Sequence, residues 1–363
     1  MLLDLDWRHT GYLAAALREA GIQTLLVSTG WPDRIGLGGY CRQVRSPQYT
    51  SPEYLPFVRD QIDRFHPERV IALCEPLLEL FWTLDPPPVP LYPPTEPWQR
   101  EIMLDRRRLY DCAAAAGIPI PPSRPLADAS DLDQAIRQFG FPLVIRGTGG
   151  FAGGQVRIVE SPAQALSAIE QMKRVSPQTP FAQAFIRGAR QLMGGLFAQG
   201  ELICPFAQEM IESHPPGTGP SIRVRTLRER RLEDHTRALF RALRWTGIAA
   251  AEFIRDEAGV PVLMEVNPRP WGSIVVAERM GAQICRTFAE TLAGRPSVPP
   301  RPYEAGVECV LPEAFVAARR QAGIFATLRK LEAHELWACA TALPWKRPRL
   351  TLHVVRRLCQ GLR

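Results

Sequence analysis

Lysine is almost missing from this chain of 363 residues: Lys173, Lys330 and Lys346 stand beside 41 arginines. A cation needed at a site is therefore far more often a planar guanidinium than a compact ammonium. Several familiar catalytic patterns are missing too. No Gly-x-x-x-x-Gly-Lys-Ser/Thr loop occurs and no Gly-x-Gly-x-x-Gly opens a helix after the first strand, which excludes the P-loop and dinucleotide readings. The six histidines show neither His-Glu-x-x-His nor any paired spacing for zinc. The eight cysteines include no Cys-x-x-Cys and read as reduced, mostly buried small apolar residues. No uninterrupted apolar run approaches membrane-spanning length, and the Met1-Leu2-Leu3-Asp4 start lacks a basic n-region and a long apolar h-region. A soluble, cytoplasmic protein is expected. No nucleic-acid module, internal repeat or low-complexity tract is visible.

What is present suits an enzyme of two or three subdomains, since a chain of this length at 46% hydrophobic can bury more than one core. The N-terminal part reads as a small α/β unit. Helices are expected over Thr10 to Ala20 and Pro52 to Phe65, and strands over Ile22 to Ser28 and Arg69 to Cys74. A Pro-rich connector, Asp85 to Pro94, follows. Asp105 to Ala116 then reads as a helix, and Ser130, with Asp133 three residues on, caps another that ends at Gly140. Between the expected strands Phe141 to Arg146 and Gln155 to Val159 lie five glycines in eight residues, Gly147 to Gly154. Such a loop can lay backbone N–H groups on phosphate oxygens with no side chain in the way. A helix from Ser161-Pro162 to Arg174 and a strand from Pro180 to Ile186 come next. Gln191 to Gln208 reads as a hairpin turning at Gln199-Gly200, and Glu229 to Trp245 as an amphipathic helix.

The most informative stretch is Ile248 to Ser273. Two apolar, β-rich runs, Ile248 to Ile254 and Val260 to Val266, flank the turn Asp256-Glu257-Ala258-Gly259. Pairing Arg255 with Val260 sets Glu252 opposite Leu263, with Glu265 and Asn267 on the same face by period two. Two carboxylates side by side on an apolar sheet cost several kcal/mol, on the order of magnitude known for buried charges, unless a cation offsets them. A hard divalent ion bound through carboxylate, amide and phosphate oxygens is the natural offset.

Glu265-Val-Asn267-Pro-Arg269-Pro-Trp-Gly-Ser273, preceded by a hairpin with a further acid, resembles the metal-binding signature of the ATP-grasp superfamily, in its carboxylate-amine ligase and carbamoyl-phosphate-synthase-like branch. The resemblance runs from about Glu101 to Gly294. It implies an α/β (α+β) fold: a Rossmann-like domain over 1–94, an ATP-grasp domain over 95–295 with a small lid over about 118–184, and a larger mixed sheet carrying the metal. Residues 296–363 are left as a basic helical extension. It further implies ATP and magnesium, or manganese in its place, with Glu252, Glu265 and Asn267 as metal ligands. Arg106 and Arg146 fall where the family usually has two phosphate-binding lysines, beside Gly149, Gly150, Gly153 and Gly154 of the loop. Gln183 and Ile186 fall on the hinge that holds the base. Arg190 occupies the place of an acid that usually bonds the ribose. Arg269 falls near the transferred phosphoryl group, and with Arg146 carries the expected catalytic role. The loop from His214 to Arg225 resembles the one that carries the acceptor side, which implies Arg223 and Arg225, along with Arg269, in substrate binding.

The activity implied is ligation of a small-molecule carboxylate, activated as an acyl phosphate, to an amine. A scaffold that binds ATP without chemistry, and a ligase forming carboxyphosphate from bicarbonate, are the alternatives. The tail from Trp345 to Arg363 bears six basic residues and no acid, interleaved with leucine and valine. It suits an anionic membrane surface or an acidic partner as well as packing on the body. Oligomeric state is open.

Overall fold

Runs of three or four apolar residues with no polar alternation belong to strands covered on both faces, and the N-terminal strands are of this kind. In the computed structural model, which describes residues 1–4, 10–30, 32, 37–84, 89–149, 156–175, 178–213, 219, 221–296, 302–311 and 348, strands β1 (Leu2–Asp4), β2 (Leu25–Ser28) and β4 (Val70–Ala72) are buried throughout. With β3 (Arg42–Arg45) and β5 (Leu91–Tyr92) they form a parallel sheet of order β3-β2-β1-β4-β5. Helices α1 (Thr10–Glu19), α2 (Tyr54–Phe65) and α3 (Glu75–Trp82) make the crossovers. The expected Rossmann-like unit is present, with shorter strands than the apolar runs suggested. β1 and α3 were not foreseen.

Helix α4 (Pro97–Leu104) leads to α5 (Arg106–Ala115), which Asp105 caps by accepting from the backbone N–H of Arg107 at 2.8 Å. The lid is a four-stranded antiparallel sheet of order β6-β9-β7-β8, built from β6 (Ser123–Pro125), β7 (Leu143–Arg146), β8 (Val156–Val159) and β9 (Phe181–Ala184). Helices α6 (Ala129–Phe139) and α7 (Pro162–Val175) cover it around a core of its own that includes Leu132, Ile145 and Met172. The cap of α6 is Asp128, not Ser130. Its carboxylate accepts from the N–H groups of both Ser130 and Asp131, and Asp131 reaches back to close a capping box. A carboxylate can take two amide donors at once, which outweighs a hydroxyl two residues further on.

The third sheet has order β14-β13-β10-β11-β12-β15, from β10 (Ala189–Ala198), β11 (Glu201–Ser213), β12 (Ser221–Leu227), β13 (Gly247–Arg255), β14 (Pro261–Asn267) and β15 (Glu308–Val310). Among the described residues every pairing in it is antiparallel, where a mixed sheet was expected, and the parallel pairings lie in the N-terminal unit. The hairpin β10–β11 turns at Gln199-Gly200, both with positive φ. Residues 221–225, read as loop, are strand. Arg223 and Arg225 interrupt the apolar run, and pairing with β11 and β15 overrides that local pattern. Because β15 joins this sheet, it continues past residue 295. Helix α8 (Arg230–Ala242) packs on one face, and α9 (Ile274–Arg279) and α10 (Ile284–Leu292) follow the last long strand. Two large cores each draw on both the N-terminal unit and this sheet. One joins Leu3 and Phe81 with Phe240 and Phe253; the other joins Leu13 with Phe206 and Phe288.

Gly150, Gly153 and Gly154, the segments 85–88 and 214–218, and all of the basic tail 345–363 but Pro348 lie outside the described residues. Among the described residues no helix is long and apolar enough to cross a membrane.

Candidate active site

The acidic hairpin forms, with a register that differs from the simple one. Arg255 faces Pro261 and Phe253 faces Leu263, but between Glu252 and Phe253 the pairing shifts, so that Glu252 lies directly opposite Glu265 rather than Leu263. The extra residue is Met264. A bulge of this kind withdraws a carbonyl from the ladder, and two side chains take it up: Arg106 Nη1 donates to Met264 O at 2.7 Å and the Tyr110 hydroxyl at 2.9 Å. The bulge therefore both places the two acids face to face and anchors α5 against them. Asn267 lies opposite Ala250 on the same face, and its Nδ2 donates to Glu252 Oε1 at 3.2 Å.

Arginines close around the pair. Glu265 Oε2 meets Arg106 Nη2 at 3.4 Å and Arg146 Nη2 at 3.7 Å, while Glu252 Oε2 meets Arg190 Nη2 at 3.3 Å. Arg146, 5% exposed, ends β7 and reaches out of the lid. Its Nη1 donates to Gln183 Oε1 at 3.2 Å and to the Tyr110 hydroxyl at 3.5 Å. Burial, then the like charge of Arg106, pull its pKa below the ordinary value, against the opposing pull of Tyr110, Glu265 and Glu252. Burial pushes the Glu252 carboxyl up to about 7, helped by the charge of Glu265 and resisted by Arg190 and Asn267. Burial would raise Glu265 as well, but the guanidinium groups of Arg106, Arg146, Arg190 and Arg269 outweigh it and hold its carboxyl below the usual value.

The raised Glu252 has a consequence for stability. An acid whose folded pKa lies above its unfolded value near 4.5 stays protonated in the fold after the unfolded chain has lost its proton. Stability from this group is present below about pH 4.5 and falls as pH rises towards about 7. In metal-free buffer Glu252→Gln, which cannot ionise, should therefore show a flatter decline in Tm than wild type between pH 5 and pH 8. Parallel Tm curves would mean that Glu252 is ionised throughout that range.

The other expected residues are distributed as follows. Gln183 is fully buried and held on both ends, accepting from Arg146 and donating to the Tyr110 hydroxyl and Ser123 Oγ, each at 3.2 Å. Ile186 lies half-buried just after β9. Gly149 is half-buried, and a Cβ there would stand 3.2 Å from Gln178 Oε1. Arg190 projects beside the acid pair and gives Glu252 a counter-charge, which is what an arginine can do at a place where an acid could not. Arg269 is 8% exposed; its Nη2 lies 3.5 Å from Asn267 Oδ1, and the same group makes a short ion pair with Glu75 at the start of α3. Arg223 and Arg225 are not brought to this cluster. Across the register Arg225 lines up with Glu209, Gln191 and Phe253, on the face opposite Glu252, and Arg223 follows by period two. There Arg225 meets Glu308 at 2.6 Å and Glu209 at 3.6 Å, and Arg223 meets Glu212 at 3.6 Å.

Tyr110 and Glu75 escaped the sequence reading. Tyr110 follows Arg106 by one helical turn, so the i,i+4 spacing on one face was the available signal. Glu75 carries no such mark: an acid at a helix start is ordinary.

The donor set fits a divalent cation. Two carboxylates meet across a bulge, an amide stands beside them, and the burial that raises Glu252, together with the like charge of Glu265, is what a cation between them would offset. Among the described residues there is no group of three or more His, Cys, Asp or Glu side chains that could hold a metal ion, so the pair would need the amide and a ligand's oxygens to complete a shell.

With this geometry in place, similarity to known proteins is informative. Residues 105–292, more than half of the chain, match the family described as carbamoyl-phosphate synthase L chain, ATP binding domain. The carbamoyl phosphate synthase large chain of Xylella fastidiosa is 24% identical over 337 residues, covering 88% of this chain but only 30% of that protein. The chain thus spans less than a third of the length of that relative. Among solved structures, biotin carboxylase from Campylobacter jejuni superposes with a TM-score of 0.69 at 14% identity, covering 85% of this chain and 74% of that one. L-amino acid ligase from Bacillus licheniformis gives a TM-score of 0.64 at 17% identity over 82% of this chain and 74% of that one. These two likenesses establish the fold. The family match over most of the lid and the large sheet, with Glu252, Glu265 and Asn267 inside it, establishes the lineage: this chain belongs to the carbamoyl-phosphate synthase large-chain ATP-binding family of the ATP-grasp superfamily.

Proposed function

We propose that this protein is an ADP-forming ligase that uses ATP to activate a carboxylate as an acyl phosphate and joins it to an amine. The observation that carries this reading is the face-to-face pair Glu252 and Glu265, with Asn267 beside it and Arg106, Arg146 and Arg190 converging on it from α5, the lid and β10. A site of this composition neutralises a polyphosphate and offers no covalent nucleophile, which suits phosphoryl transfer by positioning and charge. Magnesium on Glu252, Glu265 and Asn267 would supply charge neutralisation on the phosphate oxygens.

In the first step a carboxylate oxygen of the acid bonds to the γ-phosphorus of ATP and the bond to the ADP oxygen breaks. In the second the amine nitrogen bonds to the acyl carbon, phosphate leaves, and the nitrogen loses a proton. Arg146 is placed to meet the charge that moves between the γ-phosphoryl group and ADP, because the lid carries it over the acid pair; Arg106 supports it from α5. Arg190 balances Glu252, so that the pair tolerates two carboxylates in one buried place. Arg269 adds positive charge behind Asn267. The nucleotide base we assign to the hinge around Gln183 and Ile186, the triphosphate to the loop beginning at Gly147, and the acceptor side to the loop before Arg223 and Arg225. None of the six cysteines among the described residues is in a disulfide, which suits a cytoplasmic setting.

Thermal stability with ATP and magnesium tests the nucleotide site directly. Ligand at about a hundred times its Kd should add roughly 2.7 kcal/mol. Stabilisation that vanishes on chelation is the expected result; no shift under either condition would leave a folded scaffold without a working site. A second reading takes bicarbonate as the carboxylate, forming carboxyphosphate; the biotin carboxylase domain of Hydrogenobacter thermophilus 2-oxoglutarate carboxylase, which shares the fold, was solved with MgADP and bicarbonate. ADP release stimulated by bicarbonate with no amine present would favour it.

A further inference from the structure

The buried ion pair between Glu75 and Arg269 joins two parts of the chain 194 residues apart in sequence, and it touches the candidate site only through Arg269. Glu75 is 1% exposed and Arg269 8%. A buried pair of this kind contributes little net stability over a well-packed apolar pair, so stability alone is a poor reason for it. Its placement offers a better one. Glu75 opens α3 in the N-terminal unit, where the first-turn N–H groups favour an anion, and Pro76 stiffens that turn. Its partner lies two residues beyond Asn267. From Glu75 a continuous series of polar contacts runs into the acid pair: Arg269 Nη2 to Asn267 Oδ1 at 3.5 Å, Asn267 Nδ2 to Glu252 Oε1 at 3.2 Å, and Arg190 Nη2 to Glu252 Oε2 at 3.3 Å. Arg269 Nη1 also donates to Pro270 O at 2.9 Å, which ties the guanidinium to its own loop. An amide whose nitrogen donates to Glu252 and whose oxygen accepts from Arg269 has one orientation only. Its oxygen keeps a second lone pair for a cation.

We propose that Glu75 is a positioning residue for the metal site: by holding Arg269 it fixes the Asn267 carboxamide with its oxygen available to a divalent cation between Glu252 and Glu265. The inference rests on the functional reading above. Glu75 is not among the residues assigned above to metal or nucleotide, and it lies on the parallel sheet's unit, outside the segment that matches the family. The N-terminal unit thus completes a site whose direct ligands all sit on the large sheet.

Binding of Mn2+ to the full-length chain with ADP, followed by electron paramagnetic resonance, tests this without turnover. Groups that orient a metal ligand typically contribute about ten- to a hundredfold in metal affinity. Glu75→Gln should therefore weaken Mn2+ binding in the ADP complex by about tenfold or more and alter the spectrum of the bound ion. Affinity for ADP without metal should stay within about twofold, which a general loss of structure would not allow. If Glu75 acts through Arg269, adding Glu75→Gln to Arg269→Gln should change Mn2+ affinity no further. That double variant also leaves no unpaired buried charge, so it decides the matter if Glu75→Gln does not fold: weakened Mn2+ binding supports the inference, and wild-type binding overturns it. Wild-type Mn2+ affinity in folded Glu75→Gln overturns it equally. Absence of ADP-dependent Mn2+ binding in the wild-type protein would instead sink the functional reading, and this inference with it.

Discussion

Glu265→Gln should lower ATP-dependent ADP release by at least about a hundredfold, the scale on which enzymes lose rate when one well-placed electrostatic group in the site is removed. Glu265 is the residue on which the site converges. It faces Glu252 across the bulge, and it is the carboxylate that both Arg106 and Arg146 approach. The amide keeps the size and one acceptor oxygen, so the bulge and the Arg106 contact to Met264 O are retained while the charge is lost. Two readouts then separate a metal ligand from a structural acid. Without its charge the pocket is more positive, so ATP affinity in the absence of magnesium should be kept or improved. The additional stabilisation that magnesium confers with ATP should disappear. Turnover within a few-fold of wild type, with magnesium dependence intact, would exclude Glu265 from metal binding.

Arg146→Lys should also lose about ten- to a hundredfold in turnover, although it restores the residue type that the resemblance leads one to expect at this place. Each hydrogen bond to a charged group is worth about 1.5–3 kcal/mol. Arg146 uses its fork in two directions, Nη1 to Gln183 and Tyr110 and Nη2 towards Glu265. A lysine ammonium is a single point at the end of a flexible stem and cannot hold both directions at once. It would leave Gln183 Oε1, fully buried, short of its donor. On the proposed reading, in which Arg146 meets the charge that moves during transfer, the loss should fall mainly on kcat. A lysine variant as active as wild type, measured by ADP release at saturating ATP, would show that charge alone matters and that the fork contacts are incidental.

How much of this was legible in the sequence depends on the range of the interactions involved. The hairpin at Gln199-Gly200 and the helix after Glu229 were readable because a turn dipeptide or an amphipathic period specifies them locally. The pair of acids flanking a tight turn was readable for the same reason. Its register was not. Whether Glu252 meets Leu263 or Glu265 is decided by one extra residue, Met264, whose bulge is stabilised by Arg106 and Tyr110 from a helix over 150 positions earlier. The cap of α6 was misplaced by two residues because Asp128 and Ser130 are both good caps, and only the geometry of the turn chooses between them. Arg223 and Arg225 were expected in a loop that binds substrate. Pairing with β11 and β15 made that stretch a strand and turned both towards acids on the far face.

The sequence by itself determined the residue types of the site: a scarcity of lysine that fills cationic places with arginine, two glutamates and an asparagine at hairpin spacing, and a glycine-rich turn between two lid strands. Those follow from composition and from periods of two and 3.6, which are local. Only the tertiary structure decided which arginine serves which acid. Arg190 to Glu252, Arg106 to Glu265, and Arg269 to Glu75 are pairings between elements brought together by the two shared cores, while Arg146 reaches Glu265 from the lid, which has its own core. With so many interchangeable guanidinium groups in the chain, sequence cannot rank the partners. Burial does, because a desolvated charge is tolerated only where an opposite charge is already fixed within a few ångströms.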